Sequence, residues 1–148
     1  FSPDGTLVLT ALDDGTAKIW EAETGHCFRS LQGHRGTVQS AAFSPDGRLV
    51  LTASNDYTAK LWDAESGDCL RSLQGHRGTV QSAAFSPDGK LVLTASVDRT
   101  ARIWNAESGD CLRSLQGRYE DDVTSAAFSP DGTLTASRPA SACAPSRG

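Results

Sequence analysis

The stretch "GHRGTVQSAAFSPDG" at residues 33–47 decides the fold, because the same letters recur at residues 75–89. A third version, "GRYEDDVTSAAFSPDG", spans residues 117–132 and contains one extra residue. The tryptophans follow the same spacing of 42 residues, at Trp20, Trp62 and Trp104. A period near 40–45 residues with one tryptophan per unit is typical of a repeat architecture in which each unit is a small sheet.

Each unit predicts four short antiparallel strands separated by turns. In the third unit these strands are "TVQSAAF" (79–85), "KLVLTAS" (90–96), "TARIW" (100–104) and "CLRSL" (111–115). The first is followed by the turn sequence Ser-Pro-Asp-Gly, and the second is apolar enough for a strand buried on both faces. One such sheet cannot bury both of its faces, but sheets stacked radially can. We therefore expect an all-β fold, an arc of about three four-stranded antiparallel blades of a β-propeller. The ring is expected to be incomplete, because closure takes roughly four to eight blades.

Composition narrows the range of partners. The net charge of −4 gives no basic patch for nucleic acid or for an anionic membrane surface. No run approaches the roughly 18 apolar residues of a membrane span, and no secretory signal opens the chain. The chain contains no methionine and begins inside the repeated "FSPDG", which indicates a fragment of a larger propeller.

The cysteines are expected to be structural. Cys27, Cys69 and Cys111 occupy one equivalent position in successive units, and no C-x-x-C pair suggests a zinc site. We predict three small, buried, reduced side chains in an intracellular, cytoplasmic protein, with no metal and no cofactor.

These units resemble WD repeats, which have a Gly-His pair, a turn aspartate and a Trp-Asp dipeptide. The pairs here are Gly33-His34 and Gly75-His76, and each turn aspartate lies six residues before its tryptophan. Only Trp62 is followed by aspartate, while Glu21 and Asn105 follow the other two tryptophans. On this resemblance we divide the chain into a partial repeat (1–32), two repeats (33–74 and 75–116), the start of a degenerate repeat (117–134) and a disordered tail (135–148).

The last unit departs from the pattern. Arg118 stands where a histidine is expected, and "GTLTAS" (132–137) lacks the Val-Leu pair of the earlier units. The tail that follows is rich in Pro, Ala and Ser and has no strand period, so we expect disorder there. A truncation or an altered reading frame would explain this ending.

The resemblance implies a hydrogen-bonded tetrad of His, Ser or Thr, Asp and Trp inside each blade. Its members would be His34, Thr52, Asp56 and Trp62; His76, Thr94, Asp98 and Trp104; and Asp14 and Trp20 in the first unit, with Thr10. We prefer the threonines over Ser54 and Ser96, because Leu12 occupies that position in the first unit. The role is structural, because buried carboxylates need hydrogen-bond donors and because active sites rarely recur in every blade.

A non-enzymatic protein-interaction scaffold is the leading hypothesis. The chain has no G-x-x-x-x-G-K-[ST], H-E-x-x-H or G-x-S-x-G motif. The resemblance implies that partner proteins dock on the mouth of the ring through the start of the first strand and the turn beside the aspartate. The candidate contacts are Thr37, Gln39, Asn55, Thr79, Gln81, Val97, Asp122 and Thr124, together with Asp13. Asp121 and Asp122 would add an acidic contact patch, or would belong to a loop that has diverged from the repeat without gaining a function.

The sequence also supports other hypotheses about function. Units this alike resemble the WD-repeat tails of NACHT-type signalling NTPases, which would make the chain a ligand-sensing, regulatory tail. It could also be a non-functional gene fragment. An enzymatic propeller would need a constellation confined to one blade, and none is evident. Unpaired blades also predict self-association.

Overall fold

The computed structural model describes residues 1–116, 125–130 and 134–137. Thirteen strands and no helix lie in this part of the chain. The strands are β1 Leu7–Ala11, β2 Thr16–Glu21, β3 Cys27–Gln32, β4 Val38–Phe43, β5 Leu49–Ser54, β6 Ala59–Asp63, β7 Cys69–Leu73, β8 Val80–Phe85, β9 Leu91–Ser96, β10 Thr100–Asn105, β11 Cys111–Gln116, β12 Ser125–Phe128 and β13 Leu134–Ser137.

The strands form successive antiparallel sheets in chain order. The first blade has three strands (β1-β2-β3), the second and third have four each (β4-β5-β6-β7 and β8-β9-β10-β11), and β12-β13 is a separate pair. Each sheet is a simple meander, because every strand pairs with the next along the chain through a short turn. The predicted all-β architecture of an unclosed propeller arc is confirmed for the described residues.

The second strand of each complete blade is the most deeply buried. In β5 and β9 the sequence "LVLTAS" is buried at every residue after the first leucine. The prediction of a strand buried on both faces is therefore confirmed. The physical reason is position, because this strand has a neighbour in the sheet on each side and a packed sheet above and below it.

The hydrophobic core lies between adjacent blades. Val50 and Trp62 of the second blade pack with Ile19 and Leu31 of the first in one cluster. An equivalent cluster joins Leu51 and Leu61 to Val92 and Trp104, so the second blade contributes to both. The second sheet therefore buries its two faces against the sheets on either side of it.

A repeated arginine contact joins neighbouring blades at their outer strands. Arg29 Nε on β3 donates to the Glu65 carbonyl oxygen of the next blade at 2.6 Å. Arg71 Nε on β7 donates to the Glu107 carbonyl at 3.0 Å. The guanidinium carbon of Arg29 also lies 4.3 Å from the centre of the Phe28 ring. The outer strand is thus tied to the turn between the third and fourth strands of the following blade.

The prediction that the cysteines are buried is wrong. Cys27, Cys69 and Cys111 are free thiols, but all three are exposed. Each is the first residue of the outermost strand, which pairs with another strand on one side only. Each cysteine lies opposite the tryptophan of its blade, next to a shift in the pairing register. The leucine after the cysteine is also turned outward, since Leu70 is 42% and Leu112 51% exposed. The apolar residues of "CLRSL" therefore do not indicate a strand that is buried along its whole length.

The boundary of the disordered tail is also wrong by three residues. Residues 135–137 lie in β13, which pairs with β12 in register from Phe128↔Leu134 to Ser125↔Ser137. The sequence of β13, "LTAS", is identical to the last four residues of β5 and β9, so the repeat pattern extends to Ser137. The remainder of the predicted tail, 138–148, and the acidic insertion with Arg118 lie outside the described residues.

No helix in the described part of the chain is long and apolar enough to cross a membrane.

Candidate functional site

Each complete blade has a polar end and an opposite end. At the polar end, the loop that enters the first strand (33–37 or 75–79) meets the turn between the second and third strands (55–57 or 97–99). We call these segments, together with the first blade's turn at 12–15, the rim. The opposite end carries the Ser-Pro-Asp-Gly turns and the turns after the tryptophans. The tetrads lie just beneath the rim.

The structure brings the four predicted tetrad residues of the second blade together. Trp62 Nε1 donates to Thr52 Oγ1 at 2.9 Å, and Thr52 Oγ1 lies 2.6 Å from His34 Nε2. The other ring nitrogen, His34 Nδ1, lies 2.9 Å from Asp56 Oδ2. The chain of contacts therefore runs from the indole to the carboxylate without a gap.

The indole sets the direction of this chain. A tryptophan N–H can only donate, so the Thr52 oxygen accepts that hydrogen and gives its own to His34 Nε2. The ring proton of a neutral imidazole must then be on Nδ1, from which it is donated to Asp56. Neutral histidine and ionised aspartate satisfy every bond in the series.

The third blade repeats this geometry closely. Trp104 Nε1 donates to Thr94 Oγ1 at 2.8 Å, and Thr94 Oγ1 lies 2.7 Å from His76 Nε2. His76 Nδ1 lies 2.8 Å from Asp98 Oδ2. The imidazole side chains are almost fully buried, at 1% exposure for His34 and 0% for His76.

The first blade holds part of the same arrangement. Trp20 Nε1 donates to Thr10 Oγ1 at 2.9 Å. Asp14 accepts from the Thr16 backbone N–H at 3.0 Å and from its hydroxyl at 2.6 Å, as the other turn aspartates do with their own threonines. Within the described residues no histidine joins Asp14 to Thr10.

Two further threonines form hydrogen bonds with the tetrad aspartates and were not predicted from the sequence. The hydroxyl of Thr58 donates to Asp56 Oδ1 at 2.6 Å, and that of Thr100 donates to Asp98 Oδ1 at 2.6 Å. The signal was present in the sequence, because a threonine follows each turn aspartate by two residues in all three units. This spacing is typical of a side chain that closes its own turn.

Ser54 and Ser96, the alternatives to Thr52 and Thr94, do a different job. The Ser54 hydroxyl donates to the Gly36 carbonyl at 3.2 Å and accepts from the Asp56 backbone N–H at 3.1 Å. Ser96 makes the equivalent bond to the Gly78 carbonyl at 3.1 Å. These serines fasten the entering loop to the turn, and among the described residues they form no hydrogen bond with the imidazoles.

Hydrogen bonds keep the turn aspartates ionised. Partial burial acts to raise the pKa of Asp56, but donors from Thr58, the Arg35 backbone and His34 outweigh it and lower the pKa to about 2. The pKa of Asp98 is lowered to about 2 in the same way, against the effect of burial, by Thr100, the Arg77 backbone and His76. Each carboxylate is thus fully engaged inside its blade.

Burial keeps the histidines neutral. Removal from water lowers the pKa of His34, and the hydrogen bond and charge of Asp56 offset this only in part. Burial lowers the pKa of His76 similarly, against the same two effects of Asp98. A neutral imidazole next to an ionised aspartate is also found in hydrolase triads, but here both groups are covered and are used to hold a loop.

Most of the predicted partner contacts lie in the rim, and Gln39 and Gln81 follow it at the start of β4 and β8. Gln39, Asn55 and Asp13 are exposed, while Thr37, Thr79, Gln81 and Val97 are partly covered. Asn55 donates its backbone N–H to the Thr37 carbonyl at 3.0 Å, and Val97 does the same to Thr79 at 3.0 Å. Asp122 and Thr124 lie outside the described residues.

Gln39 and Gln81 occupy β-bulges. The pairing of β4 with β5 passes from Val38↔Ser54 to Ser40↔Ala53, which leaves Gln39 as the extra residue. Gln81 is the extra residue between Val80 and Ser82 in the same way. A bulge redirects a side chain that would otherwise alternate across the sheet, and it places both glutamines next to the entering loops.

The described residues contain no group of three or more His, Cys, Asp or Glu side chains arranged to hold a metal ion. Shallow grooves do occur between blades at the opposite end, lined by equivalent residues such as Leu7, Phe28 and Gly47 in one and Leu49, Leu70 and Gly89 in the next.

Comparison with known proteins shows the family of this chain. The family model described as WD domain, G-beta repeat matches residues 1–21, 25–63, 67–105 and 109–142. Because these matches cover most of the chain, it belongs to the WD-repeat family.

Individual relatives match over short segments. The chain is 49% identical to human WD repeat-containing protein 86 over 37 residues, which is 25% of the chain and 10% of that protein. It is 49% identical to the Nuclear distribution protein PAC1 of Arthroderma benhamiae over 24% of the chain and 8% of that protein. It is 35% identical to the Periodic tryptophan protein 2 homolog of Dictyostelium discoideum over 29% of the chain and 5% of that protein. Each match thus spans a tenth or less of the relative.

Proposed function

We propose that this chain is a non-enzymatic platform on which another protein docks through the rim. The observation that carries the proposal is the pair of buried tetrads, which hold each entering loop against its neighbouring turn. Arg35 and Arg77 donate their backbone N–H groups to the carboxylates of Asp56 and Asp98 at 3.0 and 2.9 Å, so the backbone of each loop is fastened to a buried side chain. Residues beside these bonds are free to contact a partner without reorganisation of the backbone, which lowers the entropic cost of binding.

Membership of the WD-repeat family supports this proposal, because such repeats generally mediate protein–protein interactions. The partner-facing residues would be Thr37, Gln39, Asn55, Thr79, Gln81 and Val97. The histidines, threonines and aspartates beneath them would serve as supports. This division separates the rigid part of the rim from the part that recognises a partner.

Site-specific photo-crosslinking tests the proposal. A benzophenone side chain at Gln39 is expected to capture a discrete protein from an extract of the source organism. The matched control is the same group at Lys90, which is exposed at the opposite end. Equal capture from Lys90, or no capture from Gln39, would contradict docking through the rim.

The unpaired blade faces give a second class of partner, another copy of this chain. We propose weak self-association through these faces, because exposed sheet edges and apolar surfaces pair readily. Sedimentation velocity at rising concentration should show a growing sedimentation coefficient, and a constant monomer value would count against it.

A further inference from the structure

Two rim residues have a backbone conformation that glycine normally occupies. Tyr57 has φ 75° and Arg99 has φ 73°, in the turns that follow the tetrad aspartates. The equivalent residue of the first blade is Gly15, with φ 86°. A side chain at positive φ costs conformational energy that glycine avoids. In the second and third blades this turn therefore carries a side chain where glycine would be the more stable choice.

Neither side chain forms a polar interaction within the described structure that would offset this conformational energy. The Tyr57 side chain is exposed (49%), as is that of Arg99. Among the described residues neither forms a side-chain hydrogen bond or an ion pair. The turn itself holds this conformation, because Asp56 and Asp98 accept the backbone N–H groups of the threonines two residues on at 2.9 Å. The exposed side chains are therefore held at fixed positions on the surface, where they can contact another molecule.

Two more arginines lie beside these turns. Arg35 and Arg77 are exposed residues of the entering loops, and their backbone N–H groups reach the aspartates of the neighbouring turns. Those aspartates are 11% and 8% exposed and accept hydrogen bonds from inside the blade. The cationic groups of the rim are thus presented to solvent, whereas the anionic groups beneath them are already engaged.

The loops and turns follow one another along the arc. The Val38 backbone N–H reaches the Leu12 carbonyl of the first turn at 3.1 Å, and Asn55 reaches Thr37 at 3.0 Å. The next loop enters β8, which packs against β4 and β5, and it reaches its own turn through Val97 and Thr79. The order along the rim is therefore Arg35, Tyr57, Arg77 and Arg99. The first turn, with Asp13 and Asp14 exposed, is acidic, so among the described residues the basic segment belongs to the second and third blades.

We propose that Arg35, Tyr57, Arg77 and Arg99 form a docking surface for an acidic segment of another protein. This inference rests on the proposed scaffold function and adds the chemistry of the partner. Guanidinium groups pair with carboxylates in a two-point geometry, and Tyr and Arg are the residues that most often dominate binding at interfaces. Three arginines on a chain of net charge −4 do not make the extended basic stripe that nucleic acid requires.

Fluorescence anisotropy with labelled octaglutamate at low ionic strength tests the surface. The variants Arg35→Ser, Arg77→Ser and Arg99→Gly should each weaken binding roughly two- to five-fold, the range of exposed ion pairs. Tyr57→Gly should weaken binding as well, through loss of ring contact with the glutamate stems. The matched control is Arg48→Ser, an exposed arginine at the opposite end, which should leave binding unchanged.

The glycine variants keep the test independent of folding. Because the native φ at both positions suits glycine, Tyr57→Gly and Arg99→Gly should retain the melting temperature of the parent chain. Loss of binding by variants that remain folded would support the surface. Absence of octaglutamate binding by the parent chain, or equal weakening by Arg48→Ser, would overturn it.

Two further outcomes distinguish this inference from neighbouring ones. Binding of octathymidylate as tightly as octaglutamate would overturn the assignment of a protein partner. Capture of a protein by the crosslinker at Gln39 that is unaffected by all four rim variants would leave the scaffold function standing and overturn the acidic-segment assignment alone.

Discussion

At the scale of the residue, the threonine hydroxyl is the centre of each tetrad. Thr52 is fully buried and takes part in two hydrogen bonds, one with Trp62 and one with His34. A methyl group in place of the hydroxyl would leave both of those partners unpaired in the protein interior. Thr10 differs, because its hydroxyl accepts from Trp20 Nε1 and donates to the Lys18 carbonyl at a long 3.5 Å.

The variant Thr52→Val should therefore be more destabilising than Thr10→Val. Each buried polar group left without a partner costs about 1–3 kcal/mol, and Thr52→Val creates two of them. Urea denaturation measures the difference in the free energy of unfolding. Equal costs for the two variants would show that the bond to His34 contributes nothing.

Tryptophan contributes through packing as well as through its N–H. Trp62 is 1% exposed and lies in the cluster between the first and second blades. We expect Trp62→Ala to cost about 3–5 kcal/mol, as large-to-small changes in cores do. A loss under about 1 kcal/mol in a folded variant, by the same denaturation assay, would contradict its buried role.

The tetrads also predict how stability depends on pH. Burial depresses the pKa of His34 and His76 in the folded state below the ordinary value of 6.5 for histidine. The unfolded chain then takes up protons first, so this contribution is complete above pH 6.5 and declines as pH falls toward the folded pKa.

A second decline should come from the aspartates, whose pKa falls from 3.8 unfolded to about 2 folded. Their contribution is complete above pH 3.8 and is lost as pH falls toward 2. Melting temperature measured against pH should show both declines. His34→Gln with His76→Gln should flatten the first, and an unchanged profile in that double variant would contradict the assignment.

At the scale of the element, the outer strand of a blade is held in place more by a contact with the next blade than by its own apolar residues. β7 exposes Cys69, Leu70 and Arg71, yet Arg71 is tied to the Glu107 carbonyl. The side chain of Arg113, its equivalent on β11, has no hydrogen bond or ion pair among the described residues. The same sequence, "CLRSL", is therefore held in place by a neighbour in one blade and lacks that contact in the next.

Arg71→Ala should destabilise the chain by about 0.5–1.5 kcal/mol, the usual net value of a hydrogen bond. Arg113→Ala is the matched control and should fall within about 0.5 kcal/mol of the parent, as surface changes do. Thermal unfolding of the two variants makes the comparison. If Arg113→Ala costs as much as Arg71→Ala, the contact between blades is not the cause.

At the scale of the whole molecule, protection from solvent should follow strand position. β5 and β9 are covered on both faces, whereas β3, β7 and β11 form the outer side of their sheets. Hydrogen exchange should be slowest in β5 and β9 and faster in β11. Uniformly fast exchange over residues 33–115 would show that the arc does not fold without further blades.

Much of this architecture could be read from the repeat itself. The period of 42, the turn residues and the alternation predicted the strands of each blade. The resemblance to WD repeats implied the tetrad residues that the structure brings together. Local patterns suffice for this because strand pairing in a meander is set by neighbouring segments and short turns. The same reasoning could have found Thr58 and Thr100, which recur at one spacing after the turn aspartate.

Other features were decided only by the tertiary structure. The sequence alone determined a WD-repeat arc with one buried polar network per complete blade. It did not determine that the cysteines face solvent, that Gln39 and Gln81 are bulged, or that Tyr57 and Arg99 adopt positive φ. These depend on which side of a sheet meets the next blade and on how a loop fits a turn. The first is set by contacts between separate blades. The second is set inside one blade by residues far apart in sequence, such as Arg35 and Asp56, and local patterns do not encode such contacts.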